Sequence, residues 1–354
     1  MDRDCTNELA GQARDATARR ATLRIVGGDT KGFLGRPVAG EALEVAPHRG
    51  VLRHDPAELV ITARAGTPLA EVENCLAAHG QRLAFEPPHH GPGATLGGTV
   101  ACGLAGPARA WSGPLRDYVL GVRLLTGDGR VLRFGGEVMK NVAGYDVSRL
   151  LAGSFGVLGV LLDVSLKVLP RPPGERTLAL ELELDEATAL DRLADLSRGA
   201  LPLSAGAWMD GRLFLRFDGS EATLDDVTRR IAGEVVAGSN GFWASLREQT
   251  HPFFAGSEAL WRCTVPPQAP PLPLGSPPLV EWNGLQRWYR CDAAAPVFAV
   301  AAAAGGHATL FRHAPPGAEV FAPLDAPLLR LHRQLKHVFD PAGILNPGRM
   351  YAEL

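Results

Sequence analysis

GPGATLGGTVACGLAGPARAWSGPLRD, residues 91–117, is the stretch around which the rest of the chain is organised. Seven glycines stand in it, with Ala94, Ala101, Ala105, Ala108 and Ala110 among them. That density of small side chains exceeds what a core helix or an ordinary loop requires. It lets main-chain N–H groups approach a ligand with no Cβ in the way, and phosphates are the usual guests of such backbone. Gly97-Gly98-Thr99-Val100-Ala101 is expected to open a short helix whose first N–H groups lack intrahelical partners and so favour a pyrophosphate oxygen. The competing reading is tight packing, or a loop without a ligand.

The whole chain has 354 residues, enough for two domains with separate cores. Hydrophobic residues make up 46% and charged residues 21%, and the formal net charge is −2, so no basic excess argues for nucleic acid. The opening MDRDCTNELAGQARDATARR lacks the apolar run of a signal peptide, and no later stretch offers about 18 uninterrupted apolar residues. A cytosolic protein without a transmembrane segment is expected. Cys5, Cys75, Cys102, Cys263 and Cys291 are odd in number and far apart, so neither a disulfide framework nor a CxxC metal or iron–sulfur motif is present, and no metal site is expected.

Before the glycine stretch, residues 4–20 have helical composition, and 22–26 read as a strand entering Gly27-Gly28-Asp29-Thr30-Lys31-Gly32, a second candidate phosphate cradle. It is neither GxxxxGK[ST] nor a strand-fed GxGxxG, and a β-turn without a ligand competes with the functional reading. Short strands at 42–45, 51–54, 59–63 and 82–85 and a helix at 68–79 make an α+β pattern rather than a doubly wound one. After the stretch, 118–126 and 130–134 flank Gly127-Asp128-Gly129 as a hairpin. Residues 146–151 then read as a helix, Gly153-Ser154-Phe155-Gly156 as a turn, and 157–169 as a long apolar strand.

Beyond Pro170-Arg171-Pro172-Pro173 glycine thins out. The order becomes strand 177–184, helix 186–198, strands 204–210 and 212–217 and helix 221–233, which suggests a ferredoxin-like layer. PPQAPPLPLGSPP, residues 266–278, is expected to be a loop. Strands near 279–282 and 287–290 and a helix at 296–304 follow, ending at Gly305-Gly306-His307. Residues 327–339 form the last helix, stopped at Pro341. Its His332 and His337 are five apart, not on one face as a metal pair would be.

The glycine turn at 27–32, PPHHGPGATLGGTVACGLAGP, KNVAGYDVSRLLAGSFGVLGV and FDPAGILNPGRMY together resemble the vanillyl-alcohol-oxidase, or PCMH-type, FAD-binding family. GRPVAGEALEV, ITARAGTPL, MKNVAGYDVSRL, GGHATLFR and NPGRMYAEL carry the likeness to its branch of FAD-binding subunits of glycolate oxidase complexes, which work beside a second, D-type flavoprotein and an F-type iron–sulfur protein. The resemblance implies an α+β fold: a PCMH-type FAD-binding domain at 1–173, a ferredoxin-like cap domain at 174–322, and a C-terminal helix and tail at 323–354 that return to the FAD domain. It implies that Gly27, Gly28, Asp29, Thr30, Lys31 and Gly32 wrap the FAD pyrophosphate. Pro87, Thr95, Gly97, Gly98, Ala101, Gly103 and Gly106 would continue along pyrophosphate, ribityl and flavin. Gly153, Gly156, Gly159 and Val160 correspond to the stretch lining the adenosine end, and Asn346 and Arg349 to the returning C-terminus.

Two departures from the family pattern shape the functional expectation. Histidyl-linked members carry a histidine in the first glycine turn where this chain has Asp29, so FAD is expected to be noncovalent. The catalytic members also carry HxGDGNxH, whose nearest counterpart here is Gly305-Gly306-His307-Ala308-Thr309, with one histidine and no acid or asparagine. His307 is the candidate base for a small 2-hydroxy acid, because imidazole titrates near neutrality and the hydroxyl proton must leave as hydride does. A packing role competes for it, as it does for Lys140 and Tyr145, which could anchor an anion or tune a flavin. Arg312 and Lys140 are the candidates for holding a carboxylate. The functional expectation is an FAD-carrying subunit of a complex oxidising glycolate to glyoxylate, associated at most peripherally with a membrane. The alternatives are a self-sufficient 2-hydroxy acid dehydrogenase and a non-catalytic scaffold.

Overall fold

The computed structural model describes residues 2–136, 145–181 and 185–354. In chain order the elements begin with α1 (Thr6–Arg19), β1 (Leu23–Val26), β2 (Glu41–Glu44), β3 (Val51–Asp55), β4 (Val60–Arg64), α2 (Leu69–Ala77) and β5 (Gln81–Arg82). Next come α3 (Leu96–Cys102), α4 (Arg109–Ser112), β6 (Val119–Leu125), β7 (Val131–Gly135), α5 (Val147–Leu150), β8 (Val160–Lys167) and β9 (Leu169–Pro170). Then follow β10 (Glu175–Glu181), α6 (Glu186–Arg198), β11 (Leu203–Met209), β12 (Arg212–Asp218), α7 (Glu221–Arg230), β13 (Glu234–Val235) and α8 (Ser239–Glu248). The last are β14 (Leu260–Thr264), β15 (Leu279–Glu281), β16 (Gln286–Arg290), α9 (Val297–Ala303), β17 (His307–Arg312) and α10 (Ala326–Phe339).

The chain divides into two compact units. One holds the residues up to Leu104, Pro114–Pro170 and Pro323–Leu354; the other holds Ala105–Gly113 and Arg171–Ala322. The glycine stretch is thus itself divided, because the segment after Leu104 belongs with the second unit. There Trp111 packs on the core of α6, α7 and their strands, and the Trp282 indole N–H donates to the Gly106 carbonyl at 2.9 Å.

In the first unit β1 and β2 pair in parallel, and a five-stranded antiparallel sheet runs β3-β4-β8-β6-β7. Strand β8 is buried along nearly its whole length, as its apolar run dictates for a central strand. Its one acid, Asp163, meets Arg123 across the β6–β8 ladder at 2.6 Å, which supplies the partner a buried carboxylate needs. The sequence pattern extended this strand back to 157. It starts only at Val160 because Phe155 and Gly156, at φ 52° and 73°, hold the preceding residues in a turn. Likewise the strand expected at 82–85 stops at Arg82, and Leu83, Ala84 and Phe85 are buried in a turn instead.

The second unit is an antiparallel sheet ordered β13-β10-β12-β11-β15-β16-β14-β17. The expected βαββα order is present as β10-α6-β11-β12-α7 inside this wider sheet. Strands β14 and β17 and helix α8 were not foreseen: LWRCT is too short and mixed to stand out, and SNGFWASLRE opens with weak helix formers. The proline-rich loop is ordered by the fully buried Arg287, whose guanidinium bonds the Pro270 carbonyl at 2.7 Å, the Ala269 carbonyl and the Glu186 carboxylate at 3.2 Å. Among the described residues no helix is long and apolar enough to cross a membrane.

Candidate functional site

Two short segments of unlike sequence face one another in the first unit. The turn after β1 carries Gly27 and Gly28, and a Cβ on Gly28 would overlap the Gly93 carbonyl, while one on Gly27 would stand 2.5 Å from Thr95 Oγ1. These are close approaches of backbone that only glycine permits. Asp29 adopts φ 52°, a left-handed conformation that turns the chain after Gly28. The N–H groups of Gly27, Gly28, Asp29 and Thr30 have no acceptor among the described residues. Successive open amides of this kind form an anion-binding concavity.

Helix α3 behaves differently from the sequence expectation. Its N-terminal amides are already taken: Leu96 N–H by the Thr67 carbonyl at 2.9 Å, Gly97 N–H by the Ala65 carbonyl at 2.7 Å, and Gly98 N–H by its own cap, Thr95 Oγ1, at 3.3 Å. The helix N-terminus is therefore closed to a pyrophosphate, and the open amides lie in the first turn instead.

A cavity of about 320 Å³ lies beside that turn. All six residues of the first turn line it, from Gly27 to Gly32, as do Thr95, Gly97, Gly98 and Ala101 of the second segment. Gly156, Gly159, Val160 and Asn346 complete the agreement with the sequence candidates. Pro87, Gly103 and Gly153 do not line it. Pro87 is buried; Gly103 is the left-handed C-cap of α3 at φ 64°; and Gly153 passes so close that a Cβ on Gly103 would stand 3.0 Å from it. Gly106 lies in the second unit. Lys140 lies outside the described residues, and Tyr145 is almost fully exposed.

Of the cavity's cations the sequence reading named Lys31 and Arg349 and missed Arg24. Arg24, Lys31 and Arg349 line the cavity against the single acid Asp29. Arg349 is fixed by its bonds to the carbonyls of Arg36 at 2.8 Å and Gly32 at 3.1 Å, and burial lowers its pKa. An excess of cations beside open amides suits a doubly charged pyrophosphate. The volume and the mixed apolar lining, including Val38, Val45 and Phe155, suit a cofactor of nucleotide class. On these observations the first unit fits FAD.

Asn346 builds the far wall. Its Oδ1 accepts the Ile25 N–H at 2.9 Å and its Nδ2 donates to the Phe155 carbonyl at 2.8 Å. Lys336 and Asp340, 2.7 Å apart and buried, hold the same tail, Lys336 through the carbonyls of Val157 and Leu345 and Asp340 through the Ile344 and Leu345 N–H groups.

In the second unit His307 is the first residue of β17, paired with Thr264. The residue is exposed, yet burial of part of its ring, and then the guanidinium groups of Arg262 and Arg109, push its pKa below the ordinary imidazole value. Arg262 is half-buried on β14, 5.2 Å above the Phe311 ring, and burial with the charge of Arg109 brings it down to about 10. Its Nε finds no hydrogen-bond partner among the described residues. Arg109 stacks on Trp282 at 4.4 Å. Arg312, the sequence candidate for a carboxylate, instead donates from Nε to Gln249 Oε1 at 2.8 Å. The cationic neighbours of His307 are thus Arg262 and Arg109, and the signal that could have found Arg262 was a charge set between Trp261 and Cys263 in a short buried strand.

Comparison with known proteins points to the same cofactor. The FAD binding domain family matches residues 4–135, and the family of C-terminal domains of FAD linked oxidases matches residues 307–350. The chain is 49% identical to the glycolate oxidase subunit GlcE of Escherichia coli, over the full length of both. It is 31% identical to the glycolate oxidase subunit GlcD of Bacillus subtilis over 140 residues, 39% of this chain and 29% of that protein. In structure it resembles an alkyldihydroxyacetonephosphate synthase with a TM-score of 0.64, at 16% identity, covering 96% of this chain and 74% of that one, a likeness of fold alone.

Proposed function

The chain belongs to the family of the glycolate oxidase subunit GlcE, and from that premise we propose that it is the FAD-binding subunit of a complex oxidising glycolate to glyoxylate. Its partners in this reading are a flavoprotein of the GlcD kind and an F-type iron–sulfur protein, and any contact with the inner face of a membrane comes through them. The observation that carries the reading is the run of open amides from Gly27 to Thr30 beside a cavity with more cations than acids.

FAD, when bound, supplies the acceptor for the hydride that leaves the carbinol carbon. The first-turn amides, with Arg24, Lys31 and Arg349, hold the pyrophosphate, while Gly97, Gly98 and Ala101 leave room beside it because they carry little or no side chain. Asn346 ties strand β1 at Ile25 to the turn at Phe155. Asp29 gives the turn a carboxylate in place of a linking histidine, so the cofactor is held without a covalent bond.

A second reading draws support from the grouping of His307, Arg262 and Arg109. Arg262 and Arg109 suit a carboxylate, and a histidine whose pKa lies below its ordinary value is neutral at pH 7 and free to take the hydroxyl proton. On that reading the chain oxidises a 2-hydroxy acid by itself. Anaerobic addition of glycolate to the FAD-loaded chain separates the two. Slow bleaching of the 450 nm band that becomes fast when the GlcD-type flavoprotein and the iron–sulfur protein are added is the expected result, and a general base missing from this chain is worth about 10²–10⁴ in rate. Rapid bleaching by the chain alone establishes the second reading.

A further inference from the structure

Away from the cofactor cavity, three side chains of the first unit form a run of hydrogen bonds that ends on a thiol. Cys75 lies on α2, His54 on the edge strand β3 and Gln81 on β5. Cys75 Sγ is 3.6 Å from His54 Nδ1, and His54 Nε2 is 2.8 Å from Gln81 Oε1. Gln81 fixes the direction of the run. Its Nε2 donates to the Pro56 carbonyl at 2.8 Å, and a carbonyl only accepts, so the amide oxygen is the atom that faces His54. The neutral imidazole must then carry its proton on Nε2, which turns the lone pair of Nδ1 toward the thiol. A nucleophile, a base within its reach and a third group that orients the base are the parts of an activated thiol.

The surroundings admit a reagent from solvent. Cys75 and His54 are half-buried, and the exposed His79 sets its ring edge-on to His54 at 4.7 Å while its Nδ1 meets the Cys75 carbonyl at 3.2 Å, closing one side of the imidazole. Burial, and then the charge of Glu71 one turn earlier on α2, push the Cys75 thiol up, so at rest it keeps its proton and donates it to His54. The other thiols lack this arrangement. Cys5 and Cys263 are buried, Cys102 lines the cofactor cavity, and Cys291 has Asp292 and Glu258 beside it rather than an imidazole.

We propose that Cys75 is a site of thiol–disulfide exchange with a small disulfide, with His54 as its base and Gln81 as the residue that positions the base. Cys75 Sγ attacks one sulfur of the disulfide as its proton passes to His54 Nδ1. The bond between the two reagent sulfurs breaks, and the imidazolium returns the proton to the departing thiolate. Cys75 is oxidised to a mixed disulfide while the other half of the reagent is reduced to a thiol, so no further oxidant is required.

The test treats the FAD-loaded full-length chain with hydroxyethyl disulfide, an uncharged reagent, and follows each modified thiol by mass spectrometry between about pH 5 and pH 9. In the wild type Cys75 is expected to react at least tenfold faster than Cys102 or Cys291. Its rate should rise through the imidazole range, at about 6.5, instead of waiting for a free thiol to ionise at about 8.5. His54→Gln is expected to slow Cys75 at least tenfold at pH 7 and to move the rise to the thiol range, with the melting temperature at the wild-type value because the imidazole is half-exposed. Gln81→Leu, which frees the tautomer, is expected to lower the plateau rate several-fold and leave the rise in the imidazole range. A rate at or above the wild type in that variant removes Gln81 from its role. Modification that begins at Cys102 or Cys291, or a wild-type rate that rises only in the thiol range, overturns the site without any variant having to fold.

Discussion

The side-chain oxygen of Asn346 accepts the backbone N–H of Ile25 at 2.9 Å, tying the C-terminal tail to the strand that feeds the first glycine turn. The same amide donates to Phe155 at 2.8 Å, so one side chain sets the spacing of two walls of the cavity. Asn346→Asp keeps the acceptor but replaces the donor with a carboxylate oxygen aimed at a carbonyl. The variant is expected to lose about 1–3 kcal/mol of stability and to purify with less FAD, read from urea unfolding and the 450 nm absorbance. Wild-type flavin content would show that the cofactor does not depend on this staple.

Gly98 faces the cavity from α3, and a Cβ there meets only Thr95 Oγ1 at 3.1 Å, so the protein has room for a side chain while the cavity does not. Gly98→Val is expected to reduce FAD occupancy at least tenfold with little change in the melting temperature of the apoprotein. His307→Ala, in the other unit, is expected to retain its flavin. Full occupancy in the valine variant places the cofactor elsewhere.

With Asp29 in the turn rather than a histidine, acid precipitation is expected to release all of the yellow colour into the supernatant. Colour that stays with the pellet after denaturation establishes a covalent link.

Burial pushes the Asp163 carboxyl up, but Arg123 at 2.6 Å and the buried His48 imidazole at 3.4 Å outweigh it and hold the pKa below the usual carboxylate value. Asp4, bonded through Thr6, lies at about 2. A carboxylate depressed in the folded state stabilises fully above its unfolded pKa, near 4, and that contribution disappears as pH falls toward the folded value. Stability measured by urea is therefore expected to fall between about pH 4 and pH 2, and Asp163→Asn to flatten that slope while lowering stability at pH 7. An unchanged slope would remove Asp163 from the acid response.

Arg287, with no solvent exposure, joins Glu186 to the carbonyls of the proline-rich loop. Arg287→Ala strands a carboxylate and loosens the loop, and an expected cost of roughly 3–5 kcal/mol follows from leaving one partner of a buried pair alone. Limited proteolysis should then cut within residues 266–278. A resistant loop would mean that its own packing holds it.

The sequence by itself determined most of the local elements and most of the residues that line the cavity. Apolar spacing marked most helices and strands, and glycines at 27, 28 and 97 announced backbone in close contact, because no other residue tolerates such approach. The family signature carried FAD. Tertiary structure decided which groups are free to bind. Besides the local cap Thr95, the carbonyls of Thr67 and Ala65, some thirty residues away, satisfy the α3 amides, and the open N–H groups lie in the first turn. It likewise set Arg262 and Arg109 beside His307 and drew residues 105–113 into the second unit. Hydrogen-bond partners and neighbouring charges come from distant parts of the chain, so no local pattern encodes them.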